Sequence, residues 1–177
     1  MFHFNALKKN LSYTPETLYK YFRIIPLMGG ISKLAKLNQN ISSLMGQIMK
    51  EIEDNTLDLD IYSKVENGLK DHIYIQETEI FRNKNSSGSY KPVIMGFETE
   101  HASIWKLLNK IDGEINAMAF IKIKKYFDEI NRIFAIHTER EENYIVSKPS
   151  DPDFSSIKRP ENWLCNKMQG KNNLIHK

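Results

Sequence analysis

The stretch that decides the fold is FIKIKKYFDEINRIFAIHTERE, residues 120–141. Its large apolar residues recur every three or four positions, which is the spacing of one buried face of an α-helix. This apolar seam comprises Phe120, Ile123, Phe127, Ile130 and Phe134. The next two positions of the same seam are His137 and Glu141, which are polar. The stretch therefore predicts an amphipathic helix that buries an imidazole and a carboxylate near its far end.

The same periodicity extends this helix to about Glu114–Val146 and recurs in three earlier segments. These predicted helices run from about Ile31 to Glu53, from Asp58 to Arg82 and from Glu98 to Asp112. The polar loop at 83–89 and the turn signal Asp112-Gly113 separate them. We predict an all-α fold, an up-down-up-down four-helix bundle over residues 31–146.

Two flanking regions complete the predicted organisation. Residues 1–30 form a lead-in with one short helix, because Thr14-Pro15 is typical of a helix start. Residues 147–177 contain three prolines and predict an irregular tail. The apolar side chains of that tail, which we expect to pack back on the bundle, are Phe154, Trp163 and Leu164.

Composition excludes several classes of protein. The chain has 177 residues, enough for one domain with a genuine core. Its 25 basic and 22 acidic residues are interleaved and form no basic stripe, so we expect no nucleic-acid partner. The first residues lack the long apolar stretch typical of a signal peptide, and no apolar run is long enough to predict a membrane span. A single cysteine, Cys165, fits a reducing compartment, and we expect a cytoplasmic protein.

Polar residues also interrupt the seams of the other predicted helices. His72 and Gln76 lie on the second seam, His101 opens the third and Asn38 interrupts the first. Burying such groups without partners costs about 1–3 kcal/mol each. Coordination of one iron, manganese or zinc site would explain all of them, since imidazole and carboxylate suit these metals.

Other polar residues receive weaker assignments. Glu77, five positions after His72, is less well aimed than Gln76, although local helix geometry could bring it in. We expect Glu98 and Glu100 to serve the first turn of the third helix, where the helix dipole favours carboxylates. His3 and His176 lie in terminal segments and are interpreted as incidental.

Three stretches together resemble the hemerythrin-like (HHE cation-binding) family of di-iron proteins, and within it the proteins that repair iron centres. They are HIYIQETEIF at 72–81, PVIMGFETEH at 92–101 and HTEREENYIV at 137–146. They look like the family's His-x-x-x-Glu-Glu helix, its entry into the third helix and its second His-x-x-x-Glu helix. The resemblance covers roughly residues 31–146.

The resemblance implies metal ligands at matching positions. His72, His101 and His137 match histidine ligands, and Glu141 matches one of two bridging glutamates. Gln76 stands where the other bridging glutamate is expected. The histidine of the first helix is missing, and Asn38 is the best-aligned residue in its place, with Asn40 as an alternative. These departures imply an asymmetric or mononuclear site, a di-iron site of reduced affinity, or a hydrogen-bonded polar core without metal.

The resemblance also implies a function. It suggests an iron protein that handles iron, O2 or NO and supplies iron for repair of iron–sulfur clusters under nitrosative or oxidative stress, with an iron–sulfur protein as partner. One alternative is a metal-free helical module for protein–protein interaction, with Trp163, Leu164 and Cys165 on its docking surface. A weaker alternative is a redox enzyme that uses Cys165.

Overall fold

The computed structural model describes residues 33–82, 90–144 and 157–172. The predicted lead-in at 1–30, the loop at 83–89 and Phe154 of the tail lie outside these ranges, as do His3 and His176. The described part of the chain is all-helical and contains no strand, which confirms the predicted all-α class.

Four of the described helices are long. Helix α1 spans Lys33–Glu53 and α2 spans Leu59–Ile75. Helix α3 spans Lys91–Ile115 and α4 spans Phe120–Tyr144. A short helix, α5, follows at Asn166–Asn172. No helix in the described ranges combines the length and apolar character needed to cross a membrane.

The long helices share one apolar core. Helix α1 packs against α2 and α4, and α3 packs against α4 and α2. All four contribute to a single cluster of buried side chains. The predicted seam of α1 is buried throughout, and its members are Leu34, Asn38, Ile41, Met45, Ile48 and Ile52. On α2, Val65 and Leu69 are fully buried whereas Ile61 is partly exposed at the start of the helix.

The predicted bounds of two helices are wrong. Helix α3 begins at Lys91 rather than Glu98, because Pro92 in its first turn is preorganised for a helix start. It continues past Asp112, whose carboxylate accepts a hydrogen bond from the Tyr62 hydroxyl. The chain reverses later, at a turn that includes Met118 with φ 47°, and α4 begins at Phe120 rather than Glu114.

A π-helical turn over Gln76–Ile80 continues α2. A π-helical turn has i→i+5 hydrogen bonds, so it holds about one residue more than an α-helical turn, and it often occurs at functional sites. Its effect here is that Gln76 and Glu77, which are adjacent in sequence, are both buried. The turn therefore brings into the core a glutamate that regular α-helical spacing aims less well.

The C-terminal segment at 157–172 differs in part from the expected irregular tail. It contains the short helix α5, which follows an irregular stretch that includes Pro160. Trp163, Leu164 and Met168 pack against the core, and Cys165 is fully buried.

Candidate metal centre

Three histidines from three different helices meet in the core. His72 lies on α2, His101 on α3 and His137 on α4, and none is more than 1% exposed. One ring nitrogen from each lies within 4.8 Å of the other two. The three imidazoles are therefore close enough to hold one metal ion.

The closest pair of ring nitrogens has the separation expected of two ligands on one ion. His72 Nε2 and His137 Nε2 lie 3.1 Å apart. Imidazole nitrogens bind divalent transition metals at about 2.0–2.1 Å, so two neighbouring ligands are separated by about 3.0–3.4 Å. The side chains thus already stand at a ligand–ligand distance.

Gln76 contributes an oxygen to the same point. Its Oε1 lies 2.9 Å from His101 Nε2 and 3.1 Å from His137 Nε2. Gln76 is the first residue of the π-helical turn and lies about one helical turn after His72. The Gln76 side chain, which shares a helix face with His72, therefore faces the imidazoles of His101 and His137.

Two carboxylates fix the outer edges of the imidazoles. Glu77 Oε1 lies 2.7 Å from His101 Nδ1, and Glu100 Oε2 lies 3.0 Å from His137 Nδ1. An ionised carboxylate only accepts hydrogen bonds, so when Glu77 and Glu100 are ionised each Nδ1 carries the hydrogen and each Nε2 keeps its lone pair. Histidine ligands in metalloproteins are oriented by such carboxylates in the same way.

The result is a cluster of acceptors that face one another. The Nε2 lone pairs of His101 and His137 both point at Gln76 Oε1, which has no hydrogen to donate. Burial lowers the pKa of His101 to about 3 and of His137 to about 4, and it lowers the pKa of His72 as well. All three imidazoles are therefore uncharged near neutral pH, and each carries a single N–H. A cation at the centre fits this donor set.

Glu141 and Asn38 lie at the side of the cluster next to His72. Glu141 Oε2 is 3.9 Å from His72 Nε2 and accepts a hydrogen bond of 3.0 Å from Asn38 Nδ2. Within the described residues, Asn38 Oδ1, His72 Nδ1 and Gln76 Nε2 have no hydrogen-bond partner. Unpartnered buried polar atoms are costly, and all three of these atoms belong to side chains in or beside the cluster.

Aromatic rings wall the imidazoles off from water. Phe81 stacks on His101 with ring centroids 5.7 Å apart. Phe97 meets His137 edge-on at 4.9 Å, and Phe134 meets His72 edge-on at 5.5 Å. This apolar surround weakens dielectric screening and strengthens electrostatic attraction between a bound cation and its ligands.

The prediction that Glu98 and Glu100 lie in the first turn of α3 is wrong for both residues. Since α3 begins at Lys91, Glu100 lies in the third turn, where it faces His137 and pairs with Arg140. The guanidinium of Arg140 also lies over the Phe97 ring, with its carbon 4.9 Å from the centroid. The sequence carries one signal for this role: Glu100 follows Phe97 by three positions, which is seam spacing.

The other candidate residues divide into groups by position. Four of them, His72, Gln76, His101 and His137, are linked to one another by contacts of 2.9–3.1 Å. Glu141 lies beside this group, 3.9 Å from His72 Nε2, and Asn38 bonds to Glu141. Glu77 contacts Nδ1 of His101, the ring nitrogen on the opposite side from the one that faces Gln76. Asn40, the alternative to Asn38, is exposed.

Comparisons of the chain with models of known protein families, with curated proteins and with solved structures found no match.

Proposed function

We propose that the chain is a hemerythrin-like four-helix bundle that binds one ferrous ion and handles iron, O2 or NO. The observation that carries the proposal is the convergence of His72, His101 and His137 on one buried point, with a ring nitrogen of each within 4.8 Å of the other two. The sequence motifs over residues 72–81, 92–101 and 137–146 support the same assignment.

A single ion is favoured over two by the amides in the cluster. Gln76 and Asn38 are neutral, and each stands where the resemblance implies a charged or imidazole ligand. Two adjacent cations repel each other, and one bridging carboxylate, Glu141, leaves most of that repulsion uncompensated. One ion bound by three imidazoles with Glu141 nearby needs no second bridge.

The donor set favours iron, with manganese and zinc as competitors. Imidazole nitrogens and a carboxylate oxygen form the typical site of non-haem Fe(II), whereas soft thiolates select other ions. The group of described residues that meets at one point contains histidines and no cysteine. Cys165 is buried elsewhere in the core.

Bound ferrous iron with an open coordination position would supply the chemistry of binding O2 or NO. The protein's own groups prepare that position. Glu77 and Glu100 hold two imidazoles in the metal-binding tautomer, and the phenylalanine rings exclude water. We propose that a site with neutral amides also releases its ion readily, which suits delivery of iron to an iron–sulfur protein during cluster repair.

Anaerobic reconstitution with ferrous iron tests the proposal. We expect about one iron per chain, with changes in the absorption spectrum when NO or air is added. His101→Ala should lose both the iron and the metal-dependent rise in melting temperature, because a ligand that binds only the folded state stabilises it. His3→Ala, at an imidazole to which the sequence gives no role, is the matched control. Less than about a tenth of an iron per wild-type chain would refute the proposal.

One alternative is favoured by a specific feature of Gln76. Rotating its amide by half a turn would present Nε2 hydrogens to His101 Nε2 and His137 Nε2, atoms that Oε1 now faces. The Nε2 atoms of His101 and His137 would then each face a donor, and the cluster would be a hydrogen-bonded polar core without metal, in a helical module for protein interaction. In that case the melting temperature should not respond to Fe(II), Mn(II) or Zn(II), and His101→Ala should destabilise the protein equally with and without metal.

A further inference from the structure

The C-terminal segment, residues 157–172, lies across α2 and α3 beside the histidine cluster. At one end Arg159 Nε donates to Asp71 Oδ1 at 2.9 Å. In the middle the ring of Trp163 contacts the rings of Tyr74 and Trp105, with centroids 5.0 and 5.7 Å away. The segment is therefore fixed to the two helices that carry His72 and His101.

At its other end the segment reaches Glu77. The main-chain N–H of Asn166 donates to Glu77 Oε2 at 2.6 Å, while Oε1 of the same carboxylate lies 2.7 Å from His101 Nδ1. The Asn166 side chain bonds separately, from Nδ2 to Glu98 Oε1 at 2.9 Å. One buried carboxylate thus joins the main chain of the segment to an imidazole of the cluster.

This shared carboxylate has limited freedom. Glu77 is 7% exposed, and a buried carboxylate that loses a hydrogen-bond donor is destabilised because its oxygen is left without a partner away from water. If the segment moved away, Glu77 would lose the Asn166 donor and turn towards water. His101 would then lose the acceptor that fixes its ring and its tautomer.

We propose that Asn166 acts as a positioning residue for His101 through Glu77, so that docking of the C-terminal segment and metal binding at the histidine cluster stabilise each other. The inference rests on the proposed metal site. It adds a regulatory element, because displacement of the segment would lower the affinity of the histidine cluster for the ion. A partner that displaced the segment would thereby promote release of the metal.

If docking of the segment strengthens Fe(II) binding by some factor, Fe(II) binding must strengthen docking by the same factor, because one coupling free energy links the two events. The chain offers a reporter for this. Cys165, the residue before Asn166, is the chain's one cysteine, and its side chain is fully buried. A thiol reagent reaches it only when the segment opens, so the rate of labelling measures docking.

Two substitutions at Asn166 isolate the main-chain hydrogen bond. Asn166→Pro removes the N–H, and proline is well tolerated at the first position of a helix, which Asn166 occupies in α5. Asn166→Ala keeps the N–H and removes only the bond to Glu98. Both full-length variants are titrated anaerobically with Fe(II) alone, and Cys165 labelling is timed with and without the metal.

We expect Asn166→Pro to weaken Fe(II) binding about 10- to 100-fold, the usual effect of removing a group that orients a ligand. Asn166→Ala should stay within about threefold of the wild type in the same titration. Fe(II) should slow Cys165 labelling in the wild type and in Asn166→Ala by a similar 10- to 100-fold factor, and much less in Asn166→Pro.

Two results would overturn the inference, and they have different consequences for the proposed function. If the wild type binds Fe(II) but its labelling rate does not change, or if Asn166→Pro binds as tightly as wild type, the coupling is absent and the metal site stands. If the wild type binds no metal, both proposals fail. Should Asn166→Pro not fold, Arg159→Ala loosens the segment far from Glu77 and must weaken Fe(II) binding in the same direction.

Discussion

Asn38 on α1 donates a hydrogen bond of 3.0 Å to Glu141 on α4, across 103 residues of sequence. Both side chains are buried, at 5% and 1% exposure. The bond holds the Glu141 carboxylate on the side of the cluster that faces His72. An amide on the first helix therefore orients a carboxylate of the fourth helix beside the histidine cluster.

This relationship predicts the effect of Asn38→Leu. We expect the variant without metal to lose about 1–3 kcal/mol of unfolding free energy, because a buried carboxylate loses a donor. Fe(II) affinity should fall as well, since Glu141 is no longer oriented. Urea unfolding with chelator present, together with an anaerobic Fe(II) titration, measures both. Asn40→Leu, at an exposed position of the same helix, should change neither.

Gln76→Glu tests what the neutral amide does in the cluster. A carboxylate there adds a negative charge between His101 and His137, so we expect Fe(II) affinity to rise about tenfold or more. The metal-free protein should become less stable, because the new charge is buried. Gln47→Glu, on the exposed side of α1, is the control. A loss of stability with no gain in metal binding would instead favour a metal-free polar core.

Glu100→Gln tests the orienting carboxylate of His137. The amide oxygen can still accept from His137 Nδ1, but the charge that pairs with Arg140 is lost. We expect Fe(II) binding to weaken by about 10-fold, with smaller effects on the stability of the metal-free protein. The matched control is Glu129→Gln, which breaks an exposed ion pair with Arg132 and should leave binding unchanged. Equal effects of the two substitutions would argue against an orienting role.

The buried imidazoles predict how acid affects the metal-free protein. Burial lowers the pKa of His101 to about 3 and of His137 to about 4, and lowers that of His72, whereas unfolded histidine titrates near 6.5. Their contribution to stability is thus complete above pH ~6.5 and is lost as pH falls towards the folded values, by about 1.4 kcal/mol per pH unit for each group.

Glu77 acts in the opposite direction over the same range. Burial raises its pKa to about 7, and the Asn166 N–H opposes that rise, so its contribution is complete below about 4.5 and is lost as pH rises through 7. One carboxyl does not offset three imidazoles. Chelator-treated protein should therefore lose stability to urea from pH 7 to pH 5, and His101→Phe should reduce that slope. A flat profile would contradict the prediction.

Seam spacing in the sequence is sufficient to predict the four long helices and six inward-facing polar residues. His72, His101, His137, Glu141, Gln76 and Asn38 all occupy positions where apolar residues are expected, and all are buried. Helix ends were less predictable. Helix α3 begins at Lys91, with Pro92 in its first turn, and not at Glu98 as predicted. It also continues through Asp112-Gly113, where a turn was predicted.

The residues that orient the imidazoles depended on features that seam spacing does not encode. Glu77 contacts His101 because α2 ends in a π-helical turn, and a π-helical turn has no clear local signature. Glu100 contacts His137 because α3 packs on α4 with that register. Asn166 contacts Glu77 with a main-chain N–H, which any residue but proline would provide.

The sequence by itself determined which side chains must be buried, because the period of its apolar residues fixes one inward face for each helix. Only the tertiary structure decided which of those side chains meet and which atoms face each other. The physical reason is that contacts between helices depend on their relative rotation, translation and local winding, and these follow from packing of the whole core.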